Sequence, residues 1–310
     1  MGHKIKLYVL TGFLGSGKTT FLMHVLTQLG GKRVGVIQNE FGKLSIDGDI
    51  LRHDNVEMKE LTSGSIFCSC LKLNFVQALA EMSDHDLDCL FVESSGLADP
   101  SNLQEILDAV DVLRPNKPYE LAGTICLVDA VGFMHDVVEL ETVERQLIHC
   151  NIALINKCDL VDRARIEEIT QRIHTLNRHC LVVETVDGVL DPAYLEQDLT
   201  HYEWAPTEET TNSVDTKPKT FSIEFDDVPR ERMDAFLTAL IPHCYRIKGF
   251  GKIDGAWQQI DMAAGKIDYK PCADAGKSRL IFISKVGIKL IRDIKQQWDA
   301  HVGLPITLHN

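Results

Sequence analysis

The segment GFLGSGKTT, Gly12 to Thr20, constrains this chain more than any other. It stands between an apolar run, Ile5 to Leu10, and a stretch whose apolar residues Phe21, Leu22, Val25, Leu26 and Leu29 recur at helical spacing. A glycine-rich turn from strand to helix of this form is a phosphate-binding loop, and it implies an α/β fold in which a parallel strand feeds a helix. Gly12, Gly15 and Gly17 free the backbone to aim successive N–H groups at phosphate oxygens, with Ser16 and Thr20 in the same cradle. The helix N-terminus adds its dipole. Lys18 is placed to reach terminal phosphates, and the Thr19 hydroxyl to take one position on a Mg²⁺ ion that keeps most of its waters.

Further strand-like runs occur at Arg33 to Ile37, Val56 to Leu61, Cys89 to Val92, Gly123 to Val128, Ile152 to Ile155 and Leu181 to Val183. Helical patterns separate several of them, the clearest over Arg163 to Leu176 with Ile166, Ile169, Ile173 and Leu176 on one face. Near-continuous apolar strands alternating with helices predict a parallel sheet covered on both faces, with ligands at the strand C-terminal ends. The run Thr207 to Lys217 has Val214 as its one aliphatic residue and is flanked by Pro206 and Pro218, so it reads as a linker. The expected organisation is a phosphate-loop domain over 1–206, a linker over 207–218 and a smaller α+β domain over 219–310. In that last part, strands are expected at Thr220 to Phe225, near Tyr245, near Trp257 and at Leu280 to Ile283. Its helices carry Met233, Phe236, Leu237 and Leu240, and then Ile288, Ile291, Ile294 and Trp298.

A chain of 310 residues, 45% hydrophobic and 25% charged, has length for two cores. A net charge of −13 argues against nucleic acid or an anionic membrane as partner, and no apolar run reaches membrane-span length. Nine cysteines scattered through strands and helices fit a reducing compartment, so the cytoplasm is the expected location.

NKCD, Asn156 to Asp159, comes after the strand ending at Ile155 and reads as a guanine signature. The Asp159 carboxylate can accept hydrogen bonds from the guanine N1–H and exocyclic amine, whereas adenine offers no donors there and would leave a buried carboxylate unpaired. Asn156 supports the loop, and the Lys157 stem lies along the ring. In FVESSGLADP, Phe91 to Pro100, Glu93 stands at a strand end where an acidic residue holds a Mg²⁺ water, and Gly96 can offer its N–H to a γ-phosphate. NEFGKLSIDGD, Asn39 to Asp49, has the polar, glycine-bearing character of a first switch loop, with Asp47 and Glu40 as metal candidates.

Together with VDA at Val128 to Ala130 and RIKGF at Arg246 to Phe250, these elements resemble the CobW-like family of P-loop GTPases, and the resemblance runs over nearly the whole chain. That family is similar to the urease and hydrogenase nickel-insertion GTPases and is linked to metal trafficking or cobalamin-related metal insertion. The resemblance implies a metallochaperone-like role driven by GTP, with Lys18, Thr19, Glu93, Asn156 and Asp159 acting as their motif positions do. One departure stands out. Where the family carries a CxCC motif, this chain has GSIFCSC, with Ser65 and Phe67 in place of two cysteines. Cys68 keeps its place and Cys70 adds a thiol two residues on, on the same side of an extended segment. The pair could grip a soft or borderline ion such as Zn²⁺ or Co²⁺, with Glu40 or a partner completing the set. Lys43 stands where many relatives have a second Glu, and the 12 histidines form no rich tract.

The resulting expectation is a Mg²⁺-dependent hydrolase of GTP to GDP and phosphate whose nucleotide state controls a metal- or cofactor-handling surface. Its partner would be a client metalloprotein or a corrinoid-related protein. Arg33 and Arg145 are the candidate arginine fingers; otherwise a partner, a second copy in a homodimer, or a metal supplies the missing charge. Two alternatives stay open: a regulatory switch that gates a protein partner with Cys68 and Cys70 inert, and a small-molecule kinase on the same P-loop.

Overall fold

The computed structural model describes residues 4–39, 56–61, 72–197, 199–202, 218–263 and 265–309. Glu40, Asp47, Cys68, Cys70 and most of the expected linker lie outside them. The chain divides into two compact units, Met1–Thr216 and Lys217–Asn310.

In the first unit β1 (Ile5–Gly12) leads through the glycine loop into α1 (Lys18–Gln28). Next come β2 (Val34–Asn39), β3 (Val56–Leu61), α2 (Lys72–Met82), β4 (Cys89–Glu93), α3 (Leu103–Leu113) and β5 (Tyr119–Asp129). The unit continues with α4 (Phe133–Glu139), α5 (Glu141–Ile148), β6 (Ile152–Asn156), α6 (Arg163–Leu176), β7 (Leu181–Glu184) and α7 (Ala193–Glu196). The strands form one parallel sheet in the order β3-β2-β4-β1-β5-β6-β7. Helices cover both faces, as an all-parallel sheet requires. Along β1 the side chains alternate: Leu7 and Val9 meet α2 and α3 through Phe75, Leu79 and Ile106, while Tyr8 and Leu10 meet α1 through Phe21 and Leu22. Tyr8 stacks on Phe91 of β4 with ring centroids 4.9 Å apart, and its hydroxyl donates to Leu195 O at 2.6 Å. The third cluster joins β5 and β6 to α4, α5 and α6 through Val128, Leu147, Ile155, Ile169 and Ile173.

The second unit is an antiparallel sheet with two helices. Its elements are β8 (Thr220–Phe225), α8 (Arg230–Leu240), β9 (Cys244–Ile253), β10 (Ala256–Ala263), β11 (Lys266–Pro271), β12 (Ser278–Ser284), α9 (Leu290–His301) and β13 (Ile306–His309). The strand order is β11-β10-β9-β12-β8-β13. The two edge strands, β11 and β13, go beyond what the sequence pattern predicts. The last helix also begins later than its apolar spacing suggests. Gly287 takes φ +64 in a short 3₁₀ turn ahead of it, leaving Ile288 70% exposed, and the buried stripe is Leu290, Ile294 and Trp298. Fully buried Trp298 lies 5.0 Å from Phe236 in a T-shaped contact and 5.4 Å from Phe225, and its indole N–H donates to Leu304 O at 2.6 Å.

Trp298→Ala should therefore cost this unit about 3–5 kcal/mol, the range for emptying a large aromatic site in a core. Urea-dependent hydrogen exchange on the full chain would show the loss in β8 and β12 and spare the parallel sheet; unchanged exchange in those two strands would remove Trp298 from the centre of this core.

Candidate functional site

The loops that leave the C-terminal ends of β1, β4, β5, β6 and β7 converge on the mouth of the glycine loop. Gly12 has φ +129, and a Cβ there would lie 2.3 Å from Leu127 O, so only glycine lets the chain turn this close to β5. Gly17 precedes α1 with φ +103 and no side-chain cap, so the first-turn N–H groups keep the orientation that suits an anion. Gly15 is likewise left-handed at φ +78. The Lys18 ammonium donates to Gly12 O at 2.7 Å and Phe13 O at 3.1 Å. Ser16 is buried, with an Oγ that has no hydrogen-bond partner among the described residues, and Thr20 is exposed.

Thr19 and Glu93, 74 residues apart, meet here. The Thr19 hydroxyl donates to Glu93 Oε1 at 2.7 Å, and Gln38 at the end of β2 donates its amide to Glu93 Oε2 at 3.0 Å. Glu93 is only 6% exposed. A hydroxyl beside a carboxylate at the mouth of a phosphate loop is a hard oxygen donor set, and it fits Mg²⁺, which is held by one or two protein oxygens with substrate phosphates and water. Beyond Glu93 every residue through Pro100 is buried. Gly96 rests on the glycine loop itself, since a Cβ on it would lie 2.7 Å from the backbone N of Leu14.

The loop after β6 is tied to the same place. Asn156, 2% exposed, donates Nδ2 to Ser16 O at 2.9 Å and accepts at Oδ1 from the Gly188 N–H at 2.9 Å. The space a Cβ on Gly17 would need is occupied by that same Nδ2, 2.3 Å away. Lys157 takes a left-handed backbone, φ +64, and its ammonium pairs with Asp129 Oδ2 at 2.6 Å. Asp159 stands in the 3₁₀ turn Cys158–Leu160 and is exposed, open to donors from a bound ligand. Burial is the main cause of a raised Cys158 thiol pKa, and its Sγ donates to Ile155 O at 3.1 Å, so it is not a ready thiolate.

Both arginine candidates are engaged elsewhere. Arg33 precedes β2 at the opposite, N-terminal edge of the sheet, where it pairs with Asp86 and with Asp88 at 2.9 Å. Arg145 on α5 pairs through Nε with Asp99 Oδ2 at 2.8 Å, and Asp99 is fully buried. Gln38, Gln146 and Gly188 join the site although no motif in the sequence marks them. The Asp-Gly pair at 187–188 after a strand is a turn signal that could have drawn attention to the last. Among the described residues, no group of three or more His, Cys, Asp or Glu side chains is placed to hold a metal ion. No helix of the described residues is long and apolar enough to cross a membrane.

The model of the CobW/HypB/UreG nucleotide-binding domain matches residues 6–197. The sequence is similar to the zinc chaperone CobW of Pseudomonas aeruginosa, at 30% identity over 91% of this chain and 88% of that protein. It is also similar to the zinc chaperone CobW of a Sinorhizobium species, at 26% identity over 92% and 93%. The zinc chaperone YjiA of Escherichia coli is 32% identical across 61% of this chain, and the match spans 60% of that protein's length. In fold, the chain is similar to the crystal structure of the Zn(II)-bound YjiA GTPase from E. coli, with TM-score 0.50 and 22% identity over 97% of this chain and 99% of that one.

Asn156→Ala should strip partners from two buried backbone groups, Ser16 O and Gly188 N–H. Each such group costs about 1–3 kcal/mol, so the pair costs about 2–6 kcal/mol, which in a domain of this size lowers the melting midpoint by about 4–24 °C. An unchanged midpoint by calorimetry would mean that the two loops do not depend on this amide.

Proposed function

The chain belongs to the CobW/HypB/UreG family, and on that premise we propose that it is a Mg²⁺-dependent GTPase that handles a divalent transition metal for a client protein. The observation that carries the nucleotide part is the meeting of Thr19 and Glu93 at the mouth of a glycine loop to which Asn156 ties the base-side loop. GTP would lie with its phosphates on the amides of residues 15–20 and its guanine at the loop 156–159. Asp159 accepts from the guanine N1–H and amine, Lys157 lies along the ring while Asp129 holds its ammonium, and Asn156 fixes the distance between base and phosphates.

The reaction is attack of water on the γ-phosphorus, with breakage of the bond to the β,γ-bridging oxygen and departure of GDP. It demands positioning and neutralisation of charge, with no covalent intermediate. Lys18 exchanges its carbonyl partners for phosphate oxygens, and Gly96 offers its N–H to the γ-phosphate. Thr19 and Glu93 would hold Mg²⁺, which supplies charge neutralisation at the β- and γ-oxygens when bound. With Arg33 and Arg145 paired to carboxylates, we expect a partner, a second copy or a metal to supply further charge, so turnover by the chain alone should be slow.

The metal part rests on the relatives named zinc chaperones and on Cys68, Cys70 and Glu40, which we assign as ligands for Zn²⁺ or Co²⁺. With Ser65 and Phe67 in place of two thiols, the site would bind more weakly than a four-ligand zinc site. The client would be a metalloprotein or a corrinoid-related protein.

Two measurements test this. GTP and GDP should bind far more tightly than ATP and ADP, and Asp159→Asn should shift preference toward xanthosine nucleotides, whose 2-oxo group accepts where guanine donates. Equal binding and turnover of ATP and GTP would sink the guanine assignment. Separately, Zn²⁺, Co²⁺ and Ni²⁺ titrated into wild type and a Cys68→Ser, Cys70→Ser variant, each with GDP and a non-hydrolysable GTP analogue, should give tighter and nucleotide-dependent binding in wild type alone. An ion that prefers the GTP state must tighten GTP by the same factor. Superimposable curves for the two proteins would favour a regulatory switch without metal transfer.

A further inference from the structure

The loop after β4 carries polar backbone into the interior. From Ser94 to Pro100 it is buried throughout but has left the sheet, so its N–H and C=O groups need partners beyond the strand pairing. Ser94 N–H finds Leu10 O at 2.9 Å and Ala98 N–H finds Ser95 O at 3.0 Å. The carbonyls of Gly96 and Ala98 are met from α5, where the side chain of Gln146 donates Nε2 to Gly96 O at 3.2 Å and to Ala98 O at 2.9 Å. Both amide hydrogens are used on these two acceptors. This fixes the orientation of the amide, because a flip would turn Oε1 onto two carbonyl oxygens. Gln146 is fully buried, and its Oε1 has no hydrogen-bond partner among the described residues. Gln146 lines a small pocket with Phe13, Asp129 and Phe133.

The neighbouring residue fixes the far end of the same loop. Arg145 pairs with buried Asp99, whose other oxygen accepts from Ser101 N–H at 3.1 Å and so starts the 3₁₀ turn that leads into α3. Val143 and Leu147 anchor α5 in the core beneath β5 and β6. Two adjacent side chains of one helix thus grip the loop on both sides of Leu97. At the gripped point, Gly96 lies against Leu14 of the phosphate loop with no room for even a methyl group. A change in the loop's register would shift the Gly96 N–H relative to the phosphate loop.

We propose that Gln146, seconded by Arg145, is a positioning residue for γ-phosphate recognition: it holds Gly96 in register on the phosphate loop, so that α5 sets how strongly the site distinguishes a nucleoside triphosphate from a diphosphate. The proposal rests on the GTPase reading above. The diphosphate portion would be held by the glycine loop and α1, whereas the hydrogen bonds of Gln146 go to the loop after β4, at Gly96 O and Ala98 O. Losing Gln146 should therefore leave GDP affinity nearly intact while the γ-phosphate contribution falls.

The test uses the full chain with Mg²⁺ and compares wild type, Gln146→Met and Arg145→Lys. Methionine keeps the volume but cannot donate; lysine keeps the charge opposite Asp99 and is the milder, fold-preserving lesion. For each protein, the ratio of affinities for a non-hydrolysable GTP analogue and GDP is measured, with kcat for GTP. The expected result is a ratio at least tenfold lower and a matching fall in kcat for Gln146→Met, a smaller fall in both for Arg145→Lys, and GDP affinity within twofold of wild type in each. A purely structural role would weaken both nucleotides in parallel, and an unchanged ratio in both variants would overturn the proposal. Should Gln146→Met fail to fold, an unchanged ratio in Arg145→Lys alone would overturn it. Failure of the GTPase reading shows separately, as wild type that does not bind guanine nucleotides.

Discussion

Hydrogen-bonded to β4 on one side and β5 on the other, and packed against helices on both faces, β1 can end only by lifting its chain off the top of the sheet. The chain must then turn at once, because β5 runs on beside it and Leu127 O occupies the space a side chain at Gly12 would need. A glycine loop and a helix N-terminus are the physical answer, and the other loops of the site leave the C-terminal ends of parallel strands in the same sheet. The position of β1 at the centre of the order β3-β2-β4-β1-β5-β6-β7 is thus also the position of the site.

The site is more buried than loops usually are. Glu93, Asp99, Asp129, Asn156 and Gln146 are each less than a tenth exposed, so their polar atoms are largely cut off from bulk water and depend on partners at hand. The pairings join strand ends, helices and loops that are distant in sequence: Thr19 to Glu93, Lys157 to Asp129, Asn156 to Ser16 and Gly188, Gln146 to Gly96 and Ala98. Hydrogen bonding here replaces the ladder that the loops have left, and it orders the loops without adding apolar core.

Where a segment's fold depends on its own pattern, the sequence alone is enough to find it. The helix Arg163–Leu176 and the strands Val56–Leu61 and Thr220–Phe225 have the bounds that periodicity predicts, because their buried faces are written in adjacent apolar residues. β11 is invisible for the converse reason. It is an edge strand whose Lys266, Asp268 and Lys270 face solvent, and its pairing is supplied by β10. In the site, Lys18, Glu93 and Asn156 stand out in the sequence because they sit in short motifs at strand ends, and the structure brings them together around the glycine loop. Gln146 is not, since nothing local marks a glutamine that serves two carbonyls 48 and 50 residues away. Arg145 is visible as a charge and invites reading as a finger; only the buried Asp99 reveals its use.

Asn156 joins the glycine loop and the Thr185–Gly188 turn into a single piece, since one side chain touches both. On the proposed nucleotide placement, a ligand whose base sat badly would also lose the seat of its phosphate tail. On the GTPase reading, the penalty for a wrong base would be felt twice, in residence and again in rate, and fidelity would exceed what the exposed carboxylate of Asp159 could give by itself.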